Sequence, residues 1–208
     1  MAACPTICRR QAKNVHGATL KTELLRISPS VTVIPAAVAD AGALASLVQE
    51  NVAYLKKYLP KVATLTTVEA CTVHLRHVLE DGEQHEVAEW HIIVSGKLCG
   101  AIRLNKIDLD NHKASIGYYI SESCQGQGLA TSSVRAVLAY CFDKLSFNRI
   151  ELQCGSENLA SQQVAKRLGF TWEGMLHQAE LLDGEYIDLF VYGLLREDFR
   201  LRAAAAPD

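Results

Sequence analysis

The hydrophobic period of this chain changes along its length in an order that few folds accommodate. Trp90–Val94, a Ser95-Gly96 turn and Leu98–Leu104 read as a hairpin, and Asp110-Asn111 turns into a further strand over Ala114–Ile120. The period then lengthens, because Val134, Val137, Leu138, Cys141 and Leu145 have the spacing of an amphipathic helix. Ile150, Leu152 and Cys154 alternate as a strand. Ala160, Val164 and Leu168 give another helix face, closed by Gly169 as its C′ glycine. Two strands, Thr171–Leu182 and Tyr186–Leu194, joined at Asp183-Gly184, complete this half. Upstream, Val31–Ile34 predicts a short strand closed by Pro35. Asp40 is the candidate N-cap of a helix with Leu44, Leu47, Val48, Val52 and Leu55 on one face, stopped by Pro60. Thr66 and Glu69 form a capping box for a second helix carrying Val68, Cys71, Leu75 and Val78, which Asp81-Gly82 ends in a turn. The order is strand, two helices, three strands, helix, strand, helix, two strands. That is not the βαβα alternation of a doubly wound parallel sheet. It predicts an α+β class with a mixed, mostly antiparallel sheet flanked by helices.

Composition narrows the function classes. With 208 residues, 49% of them hydrophobic, the chain can bury one ordinary core. A net charge of −2 excludes a basic nucleic-acid binder, and no apolar run approaches the ~18–20 residues that span a bilayer. Seven cysteines (Cys4, Cys8, Cys71, Cys99, Cys124, Cys141 and Cys154) form no CxxC pair, which favours buried thiols in a reducing cytoplasm over a disulfide framework or a zinc site. His74 and His77 are spaced i, i+3, but no carboxylate companion is placed by spacing, so no metal is expected. Residues 1–26 carry Arg9, Arg10, Lys13, Lys21 and Arg26 against Glu23 alone. They read as a flexible leader or a weak targeting segment, without the ~7–15-residue apolar stretch of a secretory signal. The expected domain covers 27–200, followed by a flexible tail over 201–208.

The stretch that carries chemistry is Ser121–Ser133, S-E-S-C-Q-G-Q-G-L-A-T-S-S, between a strand and a helix. Its glycines let backbone N–H groups converge on an anion, and the helix N-terminus adds partial positive charge, so phosphate is the natural guest. A tight strand-to-helix turn is the other reading of a lone GxG. The dinucleotide fingerprint fails at Thr131, and no Gly-Lys-Ser/Thr triplet exists for a P-loop.

Gln125, Gly128 and Ala130 satisfy the Gln/Arg-x-x-Gly-x-Gly/Ala motif, and with the element order they resemble the GNAT superfamily of acyl-CoA-dependent N-acyltransferases. Ile116-Gly117-Tyr118, Asn158-x-x-Ser161, Leu168-Gly169-Phe170, Glu173-Gly174 and Gln178-Ala179-Glu180 resemble its RimL/RimJ branch, which acetylates N-termini of ribosomal proteins, over roughly residues 114–192.

The resemblance implies a GNAT fold and acetyl-CoA as co-substrate. It places the pantetheine arm along Tyr118, Tyr119 and Ile120, and the pyrophosphate on backbone amides of Gln125, Gly126, Gln127, Gly128, Leu129 and Ala130. Thr131 and Ser132 would add hydroxyls, and Asn158 would touch pantetheine unless it is simply a turn asparagine before a helix. Glu180 matches the proposed base for the incoming amine, and Ser161 the residue proposed to assist the departing sulfur. Read alone, Glu180 is equally a solvated strand carboxylate and Ser161 a first-turn helix serine. His177 is a reserve base, Tyr54, Tyr118 and Tyr186 are reserve proton donors, and Cys154 on its apolar alternation reads as core. The implied activity is acetylation of a protein N-terminal α-amine, most closely that of a ribosomal-protein serine, with a homodimer also expected. A GNAT enzyme for a small amine and a non-catalytic acyl-CoA-binding module are the other readings, and the joint presence of Glu180 and Ser161 argues against the last. Lys56, Lys57 and Lys61 beside Tyr54 and Tyr58 form either a solvated face or a surface for an acidic acceptor.

Overall fold

The computed structural model describes residues 22–84 and 86–205. Most of the expected leader, residues 1–21, and positions 206–208 of the expected tail lie outside the described residues. Leu25–Arg26 (β1) and Val31–Pro35 (β2) open the sheet and are followed by the helices Ala41–Tyr58 (α1), Pro60–Ala63 (α2) and Val68–Glu83 (α3). The middle comprises Ala88–Val94 (β3), Lys97–Asp108 (β4) and Lys113–Ile120 (β5). Then come Leu129–Asp143 (α4), Arg149–Gly155 (β6), Leu159–Leu168 (α5), Thr171–Leu182 (β7), Glu185–Leu195 (β8) and Arg196–Ala205 (α6).

Several boundaries differ from the sequence reading for local reasons. β1 pairs with β2, Leu25 opposite Val33, so residues 25 and 26, which the sequence reading gave to a leader, belong to the sheet. α6 runs through 201–205, where a tail was expected. Pro60 does not merely stop α1. It starts α2 at the first helical position, where its missing N–H costs nothing. Thr67, not Thr66, caps α3, its hydroxyl accepting from the Ala70 amide at 3.1 Å, and Asp81-Gly82 lies within that helix. Asp40 precedes α1 without capping it by side chain, because its carboxylate accepts instead from the Ala37 amide and from His91 Nδ1.

The strands form one sheet in the order β1-β2-β3-β4-β5-β6-β8-β7. Every neighbouring pair is antiparallel except β5–β6, which α4 joins as a crossover. This is the mixed, mostly antiparallel α+β arrangement expected. One face buries Trp90, Ile102, Ile116, Ile150 and Leu152 against Val134, Val137 and Leu138 of α4 and Val164 and Leu168 of α5. A second cluster joins Leu44, Leu47, Val48 and Leu55 of α1 to Cys71 and Leu75 of α3 and Leu98 of β4. No helix among the described residues is long and apolar enough to cross a membrane.

Strand alternation sends Trp90 and Ile92 into the first cluster and Glu89 and His91 to the opposite face. Glu89 is buried there among His74 (3.8 Å), His91 (3.7 Å) and Arg103 (3.6 Å), while His91 Nδ1 donates to Asp40 at 2.8 Å. Burial alone raises the Glu89 carboxyl, but hydrogen bonds and charge from His74 and His91 outweigh it and hold the group at about 2. A folded-state value below the unfolded one stabilises the fold above pH 4.5, and that contribution is lost as pH falls through about 2. Glu89→Gln should therefore be less stable than wild type at neutral pH and lose less stability on acidification across this window. Urea denaturation at stepped pH checks this, and an unchanged pH slope in the variant contradicts it.

Candidate active site

β5 and β6 run together only from Lys113–Arg149 to Ile116–Leu152, and then part. Beyond that point β5 remains paired to β4 through Ile120, and β6 remains paired to β8 through Gly155, so each half of the sheet keeps its own ladder. A cavity of about 590 Å³ opens in the split. Tyr118, Tyr119 and Ile120 form one wall, Gln153–Gly155 and α5 the opposite wall, and Tyr54 and Tyr58 of α1 its upper rim.

The loop after β5 makes a short 3₁₀ turn at Glu122–Cys124 and then reaches α4 through two glycines in the left-handed region, Gly126 (φ 74°) and Gly128 (φ 73°). A side chain at Gly128 would meet backbone strain, although nothing lies within 4 Å of where its Cβ would stand. The conformation leaves open space over the first turn of α4, which no side chain caps. Its leading N–H groups face that space with the partial positive charge of the helix terminus. Gln125, Gly126, Gly128, Leu129, Ala130 and Thr131 line the cavity. Gln127 and Ser132 do not, and the Ser132 hydroxyl is turned back onto the Leu129 carbonyl at 3.1 Å.

Helix α1 holds this loop from the side. Buried Asn51 accepts the Glu122 amide at 2.8 Å and the Ser121 hydroxyl at 3.3 Å through Oδ1, while its Nδ2 donates to the Leu47 carbonyl at 2.7 Å. One turn later, Tyr54 stands beside the Gln125 side chain, both lining the cavity, and burial raises its phenol. The sequence reading did not single out Asn51. Its signal was a polar residue at a core position of an otherwise apolar helix face, which in a folded protein requires partners.

Asn158 caps α5, its Oδ1 accepting from the Ser161 amide at 3.1 Å. That places Ser161 in the first turn, where its hydroxyl lies 3.3 Å from the Tyr118 hydroxyl across the split. Burial pushes the Tyr118 phenol up to about 12, partly offset by the bond to Ser161, so at neutral pH it is a proton-bearing donor. Burial also raises the Cys154 thiol, while a Ser161 hydrogen bond lowers it, and 7% exposure leaves Cys154 a core residue on the cavity floor.

Glu180 lies on the far wall because of an irregularity in β7. Leu176 pairs with Leu189 but Glu180 pairs with Ile187, so two extra residues are accommodated between them. In an unbroken ladder Gln178 would oppose Ile187 and line the cavity. The extra residues are held by Asp188, which accepts the Gln178 amide at 2.8 Å and pairs with His177 Nδ1 at 3.4 Å. His177 therefore faces Asp188 and does not line the cavity, and neither does Tyr186. His74 sits against Glu89, and no group of three potential metal ligands occurs among the described residues. The cavity lining thus joins an uncapped helix N-terminus after a glycine loop, a pair of hydroxyls 3.3 Å apart and the Glu180 carboxylate, which suits group transfer from a phosphate-bearing carrier.

A family model described as an acetyltransferase (GNAT) domain matches residues 30–171. The ribosomal-protein-serine acetyltransferase of Escherichia coli (strain K12) is 38% identical over 101 residues, covering 49% of this chain and 56% of that protein. The chain thus spans little more than half the length of the curated relatives it matches first. A RimL ribosomal L7/L12 alpha-N-protein acetyltransferase solved in complex with coenzyme A superposes with a TM-score of 0.80 at 29% identity, over 83% of this chain and 98% of that one. An acetyl transferase from Salmonella typhimurium, described as modifying the N-terminal serine of 50S ribosomal subunit protein L7/L12, superposes with a TM-score of 0.77 at 29% identity, over 83% and 99% of the two chains.

The Asn158 cap generates a stability prediction. Asn158→Ala should cost about 1 kcal/mol in chemical denaturation, and Asn158→Asp, which retains an accepting oxygen, should recover most of it. Equal stability of wild type and Asn158→Ala would show that the cap does not hold α5.

Proposed function

The chain belongs to the GNAT acetyltransferase family, and from that premise we propose that it moves the acetyl group of acetyl-CoA onto the α-amine of a protein N-terminus, that of a ribosomal protein serine above others. The observation that carries the reading is the Tyr118–Ser161 hydroxyl pair in the strand split, with the anion cradle on one side and Glu180 on the other. The similarity to acetyltransferases of ribosomal proteins supports the choice of acceptor.

In this reading the backbone amides of Gln125–Ala130 hold the pyrophosphate, and the opened edge of β5 at Tyr118–Ile120 runs alongside pantetheine. The amine enters past Glu180. An N-terminal α-amine has a pKa of about 7.7–8.0, so near neutrality a carboxylate at the cavity mouth suffices to accept its proton, directly or through water. The neutral amine attacks the thioester carbonyl, and the C–S bond breaks with the electron pair on sulfur. Ser161 donates a hydrogen bond to the departing thiolate, while the neutral Tyr118 hydroxyl donates to Ser161 and keeps its proton directed at the sulfur.

Glu180→Gln should lower kcat by about 10²- to 10⁴-fold, with the affinity for acetyl-CoA little changed. Ser161→Ala should also lower kcat, with less than additive loss in the double variant because both groups serve one transition state. Free-thiol release with acetyl-CoA and peptide acceptors measures all of these. Wild-type kcat in both single variants would remove the two residues from the chemistry.

The acceptor side is bordered by the end of α1, where Lys56 pairs with Asp183 of the β7–β8 turn at 3.5 Å and Lys57 lies over the Tyr58 ring. With Lys61 these residues favour an acidic acceptor protein. Its kcat/KM should fall as ionic strength rises, and a salt-independent value would assign the lysines to solvent alone.

A further inference from the structure

Among the described cysteines, Cys71, Cys99, Cys141 and Cys154 are buried and Cys124 alone is half-buried. Cys124 also lines the cavity, directly before Gln125, where the loop proposed to hold the pyrophosphate begins. The proposed reaction gives its thiol no role. The fold gives it a partner. β4 and β5 are in register at Gly100 opposite Ile120, and one step further the Ser121 amide donates to the Cys99 carbonyl at 2.7 Å. The 3₁₀ turn then doubles the chain back, the Cys124 amide donating to the Ser121 carbonyl at 2.9 Å. Two backbone hydrogen bonds thus tie Cys99 and Cys124 to the same residue, Ser121. Cys99 is 3% exposed in the first core cluster, and Cys124 packs against that cluster.

Packing as a small apolar residue accounts for Cys99 as it does for Cys71 and Cys141. It does not account for Cys124, which reaches solvent at the cavity edge with its sulfur 3.9 Å from the Ser123 hydroxyl. The two thiols act on one another. Burial first, and the neighbouring Cys124 second, push the Cys99 thiol up to about 11, while the Lys97 ammonium draws it down. A solvent-reachable thiol beside a second, sheltered one has the arrangement in which oxidation of the first is resolved by the other.

We propose that Cys99 and Cys124 form a reversible disulfide under oxidation by hydrogen peroxide, and that this bond weakens binding of the carrier. The inference rests on the acetyl-CoA reading given above. The Cys124 thiolate attacks one peroxide oxygen, and the O–O bond breaks with its electron pair on the departing hydroxide. That hydroxide takes up the proton the thiol gave up and leaves as water. Cys99 then attacks the sulfur of the Cys124 sulfenic acid, the S–O bond breaks, and hydroxide leaves with the Cys99 proton as a second water. Two thiols and one peroxide give one disulfide and two waters. Conversion of Cys124 to the neutral sulfenic acid also removes its charge from beside Cys99, which favours the second step. An S–S bond of about 2.05 Å is shorter than any non-bonded sulfur contact, so its closure draws Cys124 toward buried β4. Gln125 follows, and the left-handed Gly126 and Gly128 yield to the shift.

The test is calorimetric titration with acetyl-CoA, which carries no free thiol to exchange with the disulfide. Wild type, Cys99→Ala and Cys124→Ser are each titrated reduced, after equimolar hydrogen peroxide, and after a thiol reductant. Mass spectrometry of the digested protein identifies linked peptides. Oxidised wild type should contain a Cys99–Cys124 peptide and bind acetyl-CoA about tenfold more weakly, the scale of one lost charge-assisted hydrogen bond. The reductant should restore the affinity, and peroxide should change it in neither variant. Cys124→Ser keeps the comparison available if Cys99→Ala, a core substitution, fails to fold. Linkage of Cys124 to any other cysteine, or no linkage, overturns the proposal. So does a linked protein with unchanged affinity, or an equal loss on peroxide treatment in either folded variant. Reduced wild type that binds no acetyl-CoA would instead overturn the acetyl-CoA reading itself.

Discussion

The separation of β5 from β6 beyond Ile116–Leu152 is the constraint on which the site depends. A parallel pair that continued to the ends of both strands would satisfy its own backbone and leave no room for a ligand. Here each strand is held on its outer side, β5 by β4 and β6 by β8, so the inner edges open without loss of the sheet. The β4 side of this arrangement needs Gly100, because a Cβ there would run into the Tyr119 carbonyl. The opened backbone groups need other partners, and an extended ligand lying in the split can supply them.

The loop at the mouth of the split is not self-supporting. Two left-handed glycines permit its shape but also make it flexible, and the nearest rigid element is α1, which packs on the opposite side of the sheet from α4. Asn51 connects the two through the Glu122 amide and the Ser121 hydroxyl, and Tyr54 lies beside the Gln125 side chain. Because Asn51 is buried and its side chain makes bonds at both ends, breaking one of them strands a polar group in the interior. Helix α1 therefore packs the core and also sets the position of the loop. The other wall is set differently, by a two-residue irregularity in β7 that brings Glu180 rather than Gln178 opposite Ile187.

Much of this was legible in the residues. Period-two and period-3.6 patterns located the long strands and the helices over α1, α3, α4 and α5, and Gly169 marked the end of α5 with the left-handed backbone expected of it (φ 91°). The elements missed were short or terminal. The two-residue β1 and the four-residue α2 offer too few positions for a period to show, and α6 carries charge and alanine without a clear apolar face. The capping of α3 was displaced by one residue because Glu69 three positions after Thr66 completes the sequence pattern of a capping box, whereas the extended backbone puts Thr67 in the capping position.

What the sequence by itself determined was the order of elements, the family resemblance, and a glycine loop placed before a helix N-terminus. These are local properties, set by side-chain period, by positive φ and by the dipole of a helix end, and each can be read within a few residues. Only the tertiary structure decided which side chains meet. Tyr118 and Ser161 are 43 positions apart and Asn51 and Glu122 71 apart, and each pair comes within hydrogen-bonding distance only through the packing of the sheet and helices. Arg167 enters the cavity while its neighbour Lys166 does not, because α5 is fixed in rotation by Val164, Ala165 and Leu168 in the core. Glu180 reaches the cavity through an irregularity that Asp188 holds from the adjacent strand. Such juxtapositions depend on the register between elements distant in the chain, which no local pattern encodes.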